Sequence, residues 1–146
     1  MSDNVTLIVQ DHPDDGRLVA RAIRQPGCEI DITAAAGDVD LLEYLHAAAR
    51  GDGPPIPRLI LLNLPAPRRD ALELIRRIRV AAPGRLPPVV LLVPDADAEF
   101  RTAAYSLGAN SCVRRPVDPA ELSEMVRQIG RYWITLNVLP EGFIVA

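Results

Sequence analysis

The sequence predicts an α/β domain built around a parallel sheet, and three observations predict it. Short apolar runs alternate along the chain with amphipathic stretches of helical period, the pattern of repeated βα units. Two of those runs, RLILL (58–62) and PVVLLV (88–93), are apolar almost throughout, as strands covered on both faces must be. The chain has 146 residues, long enough to bury a substantial core and most simply counted as one domain.

Taken in order, VTLIV (5–9) is the first strand, and Pro13 suits the first turn of the helix that follows, where Leu18, Val19, Ala22 and Ile23 recur at helical spacing. EIDIT (29–33) alternates and belongs at a sheet edge. DVDLLEYLHAAA (38–49) is the second helix, with Leu41, Leu42 and Leu45 inward, and RGDGPPIP (50–57) is a breaker cluster. The third strand follows, and the third helix starts near Asp70 as its cap and buries Leu72, Leu74, Ile75 and Ile78. After the fourth strand, AEFRTAAYSLGA (98–109) forms a helix closed by Gly108, and SCVR (111–114) is a short fifth strand. DPAELSEMVRQIG opens the last helix, with Asp118 as cap and Pro119 at its first position.

Composition excludes several functions. The net charge of −3 argues against nucleic acid as the main partner, and no run is long enough to span a bilayer. Cys28 and Cys112 lack metal-ligand spacing, which fits a reduced, cytoplasmic setting; no signal pattern precedes the first strand. All sixteen basic residues are arginine, so no mechanism can rest on a lysine. Right-handed crossovers bring the βα loops QDHPDD, NLPAP, VPDAD and RRP to one sheet edge, with AAAGD further out, and chemistry in such folds sits there.

LIVQDHPDD, LILLNLPAPRRDALELIRRIR and AAYSLGANSCVRRPVD, in this order and spacing, resemble a response-regulator receiver domain, the phosphoacceptor module of two-component signalling. The ending GRYWITLN is similar to that of single-domain regulators that partner bacterial phytochrome-type histidine kinases. The resemblance implies a flavodoxin-like (βα)5 sandwich of three layers, with a five-stranded parallel sheet in the order 2-1-3-4-5 and a C-terminal extension. It divides the chain into a receiver at 1–130 and, at 131–146, a helix extension with an apolar arm.

An active receiver holds a divalent metal with two carboxylates after strand 1 and the acceptor aspartate after strand 3. A lysine neutralises the developing charge, and a hydroxyl after strand 4 binds the phosphate. Here the resemblance assigns those places to Gln10, Asp11, Asn63, Arg115 and Val93, of which only Asp11 keeps the family's residue type. The Asn63 amide is not nucleophilic, and Val93 donates no hydrogen bond. The expectation is a pocket without catalytic residues, cofactor or metal. Two arrangements of Arg115 compete: pairing with Asp11 to fill the pocket, or solvation at the sheet rim. Arg115–Pro116 corresponds to a bond that is cis in the family.

Other features have bland readings beside sharp ones. Asp14 and Asp15 favour the positive end of the first helix, His12 is a solvated loop residue rather than a phosphate carrier, and Pro65 and Pro67 stiffen their loop. Arg76, Arg77 and Arg79 form the solvated side of the third helix, whereas Arg68, Arg69 and Arg114 stand near the edge where an anion would bind. Cys112, where receivers commonly place an aromatic switch residue, acts as core filler near Tyr105.

Leu122, Met125, Val126, Ile129, Tyr132, Trp133 and Leu136 extend the apolar stripe through 118–136, interrupted by Gly130. Beyond it, NVLPEGFIVA is mostly apolar. This tail either folds back or joins two copies into a homodimer through Tyr132, Trp133, Leu136, Val138, Phe143 and Ile144, with FIVA added to a sheet edge. The function expected is that of a non-enzymatic, atypical regulator acting by protein contact. Its partners are a histidine kinase or phosphotransfer protein, docked over Arg17, Leu18, Arg21, Ala22, Pro116 and Val117, with no nucleic acid and no membrane. The alternative is a receiver phosphorylated on another carboxylate such as Asp11.

Overall fold

The structure, a computed structural model, describes residues 5–10, 13–24, 31–35, 37–51, 53–64, 69–81, 87–95 and 97–139. Strands and helices alternate: β1 (Val5–Gln10), α1 (Pro13–Ile23), β2 (Asp31–Ala35), α2 (Asp38–Arg50), β3 (Leu59–Asn63), α3 (Arg69–Ala81), β4 (Val89–Val93), α4 (Ala98–Ser106), β5 (Ser111–Arg114) and α5 (Pro119–Gly130). The strands pair in parallel in the order β2-β1-β3-β4-β5.

Alternation along the central strands sends their side chains into two cores. Ile60, Leu62, Val89, Leu91 and Val93 meet Leu41 and Leu45 of α2, Leu74, Ile75 and Ile78 of α3 and Phe100 and Ala104 of α4. Leu59, Leu61, Val90 and Leu92 meet Val19 and Ile23 of α1 and Leu122, Val126 and Ile129 of α5. β3 and β4 are therefore buried on both faces, which is why their sequences are continuous apolar runs.

Capping follows side-chain chemistry in α4 and α5. Asp97 accepts from the Phe100 N–H at 2.8 Å, and Asp118 accepts from the Glu121 N–H at 3.1 Å with Pro119 behind it. Asp70 is not the cap of α3: the helix begins one residue earlier, at Arg69, and Asp70 lies in its first turn, where a carboxylate still favours the positive helix end. Among the described residues β2 spans Asp31–Ala35, two residues beyond the expected end at 33, with its register set by pairing with Val5–Val9 of β1; Glu29 and Ile30 lie outside the described residues.

Arg79 overturns its sequence reading. Instead of joining the solvated face of α3, it is half-buried and donates to the Pro87 carbonyl at 3.0 Å, to Asn110 Oδ1 at 2.7 Å and through Nε to the Gly108 carbonyl at 2.9 Å. The carbonyls before β4 and β5 need donors, and one guanidinium fork supplies them. Gly108 is the residue that tolerates this approach: its φ is +117°, and a Cβ there would stand 2.7 Å from Arg79 Nε. Arg76 and Arg77 are exposed as expected, both paired with Glu73.

The predicted single helix over 118–136 changes character at Gly130. Arg131–Leu136 is π-helical, and the Asn137 N–H closes it on the Tyr132 carbonyl at 2.6 Å. The wider turn lets Ile134 stay buried and Trp133 stay half-buried against the α1/α5 core.

Candidate functional site

The strand register aligns the carboxyl ends of the sheet. Gln10 stands opposite Asn63 in the β1/β3 pair, Asn63 opposite Leu92 in β3/β4, and Val93 opposite Arg114 in β4/β5. The Leu64 N–H continues the ladder to the Leu92 carbonyl at 2.8 Å, and the Arg115 N–H reaches the Val93 carbonyl at 3.1 Å. Asn63 and Arg115, 52 positions apart, are thereby fixed at adjoining strand ends.

Their side chains meet. Arg115 Nε donates to Asn63 Oδ1 at 2.9 Å. Asn63 is 1% exposed and is the buried polar side chain among the described residues. An amide in a dry site must find partners, and a guanidinium N–H is a strong donor. Asp11, the other partner expected for Arg115, lies outside the described residues. The Arg115–Pro116 bond is trans, which corrects the expected cis form; trans is the ordinary preference, by roughly 0.5–1 kcal/mol.

Val93 is buried in the core on the α3/α4 side, and its side chain offers this edge no polar atom. Beside it Asp95, at φ +46°, faces Arg114 at 3.8 Å, a long pair with both side chains more than four-fifths exposed. His12, Asp14, Asp15, Pro65, Pro67 and Arg68 fall where no side chain is described. Among the described residues no three His, Cys, Asp or Glu side chains gather as metal ligands would.

On the neighbouring flank, the Cys112 N–H donates to Tyr105 Oη at 3.0 Å, tying α4 to β5 through a contact that no periodicity announces. The Cys112 side chain packs against the α3/α4 core, and burial pushes its thiol pKa up, against a smaller opposing pull from the charge of Arg101. Of the residues expected on a docking surface, Arg17 and Arg21 are exposed and Val117 is 93% exposed, but Ala22 is buried because it faces the α1/α5 core. Tyr132, Leu136 and Val138 are exposed, and Tyr132 meets Trp133 edge-on with ring centroids 5.0 Å apart. Phe143 and Ile144 lie outside the described residues.

Two residues of this site escaped the sequence: Asn63 as the acceptor for Arg115, and Tyr105 as the acceptor for the β5 backbone. The first had a signal, since an amide and an arginine stood at positions the resemblance brings together. The second had none.

The profile of the response regulator receiver domain matches residues 6–127. The probable methanogenesis regulatory protein FilR2 of Methanothrix harundinacea is 29% identical over 136 residues, covering 93% of this chain and 87% of its own length. Response regulator Rcp1 of Synechocystis is 26% identical over 136 residues, covering 93% of this chain and 92% of its own. The solved Mn(2+)-bound form of Rcp1 superposes with a TM-score of 0.79 at 27% identity, over 94% of this chain and 99% of that one. The phosphorylated cyanobacterial phytochrome response regulator RcpA gives 0.81 at 23% identity, over 96% of this chain and all of that one, a likeness of fold. The profile match spans most of the chain: this protein belongs to the response regulator receiver domain family.

Proposed function

We propose that this receiver works in two-component signalling as an atypical, single-domain regulator that acts by protein contact and does not accept phosphate at Asn63. The observation that carries the proposal is the hydrogen bond from Arg115 Nε to Asn63 Oδ1. It fills the acceptor position with a neutral amide already engaged by a guanidinium. An amide oxygen does not attack phosphorus at neutral pH. A hard dication favours anionic oxygens, and at the end of β3 this edge offers it the neutral amide of Asn63 with the cation of Arg115 close by. The family's metal therefore does not fit the described part of the site, and no step is routed through it.

The working surfaces are then those that face partners. Arg17, Arg21 and Val117 are exposed toward a histidine kinase or phosphotransfer protein, and the chain works in the cytoplasm without nucleic acid or membrane. The receiver of residues 1–130 carries a 131–146 extension whose exposed Tyr132, Leu136 and Val138 suit a homodimer contact. Removal of 138–146 should shift the particle to monomer by light scattering; an unchanged mass rejects the tail-mediated dimer.

The phosphate question is decided by incubating the full chain with acetyl phosphate and magnesium and measuring intact mass. The unmodified mass is expected. A phosphoryl adduct overturns the proposal, and an adduct lost in Asp11→Asn replaces it with phosphorylation of Asp11.

A further inference from the structure

Two helical registers compete for the turn that follows α5. Counted round from Leu122 at about 100° per residue, an unbroken α-helix puts Val126 and Ile129 within about 40° of it, with Trp133 at about 20° and Leu136 at about 40°. Ile134 falls about 120° away, off the apolar stripe. The structure has the other arrangement. Ile134, five positions after Ile129, is 5% exposed on the α1/α5 core, while Trp133 is half-buried and Leu136 is 60% exposed. One extra residue in the turn accounts for the difference. Arg131–Leu136 is π-helical, and the Asn137 N–H bonds the Tyr132 carbonyl at 2.6 Å, where an α-turn would use the Trp133 carbonyl.

Each register buries a different apolar set. The π register seats Ile134; the α register turns Trp133 fully onto the core, buries Leu136 and exposes Ile134. Two contacts hold the wide turn. The Thr135 hydroxyl donates to the Arg131 carbonyl, a bond back along the helix that favours departure from regular α geometry. The Trp133 ring meets Tyr132 edge-on instead of lying wholly against the core. Gly130, at the head of the turn, is a weak helix former and gives the backbone room to change.

We propose that residues 131–136 are a two-register switch, in which a π turn seating Ile134 exchanges with an α turn seating Trp133 and Leu136. The exchange decides whether Leu136 stands outside beside Tyr132 or is withdrawn. A partner that grips Leu136 binds one register and not the other, and only such differential binding moves the balance. On the reading of the tail as a homodimer contact, on which this consequence rests, the second copy selects the π register. The exchange itself is a property of the single chain.

The test uses the full chain and its single tryptophan. In the wild type a coupling through the hydrogen bond is expected between the Asn137 amide nitrogen and the Tyr132 carbonyl carbon. Ile134→Gln takes away the apolar seat of the π register. It should move that coupling to the Trp133 carbonyl carbon, shift Trp133 emission to shorter wavelength and lower its quenching by acrylamide. A tail that merely frays gives the reverse: emission at longer wavelength, stronger quenching and no coupling at Asn137. Thr135→Val, at an exposed position, should move the same readouts in the same direction by a smaller amount, and it decides if Ile134→Gln does not fold. Adding Leu136→Gln to either variant should abolish the shift. Fraying in the variants, a Trp133 signal unchanged in both, or a shift that survives Leu136→Gln each overturn the switch. The expected shifts together with a particle mass unaffected by removal of 138–146 leave the switch standing and reject the second copy as its selector.

Discussion

Two arginines tie down opposite edges of the same sheet, and they do different work. At the amino edge, Arg79 bonds the Pro87 and Gly108 carbonyls and Asn110 Oδ1, while that same amide oxygen accepts from the Val89 N–H at 2.9 Å. The acceptors there are mainly backbone, so the clamp serves the entry of β4 and β5 and does not depend on a ligand. At the carboxyl edge, Arg115 meets a side-chain amide at the end of a buried strand, where α/β sheets place their chemistry. The contrast teaches that an arginine's role is set by what its fork faces: backbone at one edge makes a rivet, and a buried side-chain amide at the other makes a paired strand end.

Gly108→Ala should strike the amino edge hardest. The backbone angle disfavours a side chain, and the new Cβ would stand 2.7 and 2.8 Å from Arg79 atoms, so the clamp must open. A loss of about 3 kcal/mol in urea unfolding is expected. Next comes Arg79→Met, which keeps the apolar stem and removes the donors, at about 2 kcal/mol, with faster amide exchange at Val89 and Asn110. Asn63→Leu should cost less, about 1 kcal/mol, because Arg115 is only partly buried and turns to water. Its signature is loss of protection at the Arg115 Nε–H. A cost equal to that of Arg79→Met would erase the distinction between the edges.

The smallest effect belongs to the exposed face of α3. The hydrogen bond from Arg76, helped by Arg77, lowers the Glu73 carboxyl from 4.5 to about 2. A folded value below the unfolded one means the contribution is present above pH about 4.5 and is lost as pH falls toward about 2. Glu73→Gln should flatten the stability curve only in that acidic window, and added salt should shrink the difference, since the pair is solvated. Both sheet edges should be indifferent to this change.

The alternation of strands and helices was legible because burial on two faces leaves an unmistakable apolar run, as in β3 and β4. The helix starts at Asp118 and Pro119 were legible because caps are local. The positions of Asn63 and Arg115 were legible through resemblance, although their direct contact was not. Arg79 was misread because a helix with arginines at 76, 77 and 79 shows the same period whether one of them faces solvent or the amino edge of a sheet. The π-helical turn was missed for a related reason: Gly130 signals weakness, but packing of Ile134 and Trp133 on the α1/α5 core decides how the backbone spends it.

By itself, the sequence determined the element order and the two-sided burial of the central strands, since each is written in local composition. Tertiary structure alone decided which guanidinium meets which oxygen, at Asn63 and at Gly108. Those contacts join residues tens of positions apart, and only strand register and helix packing bring such donors and acceptors within a hydrogen bond's reach.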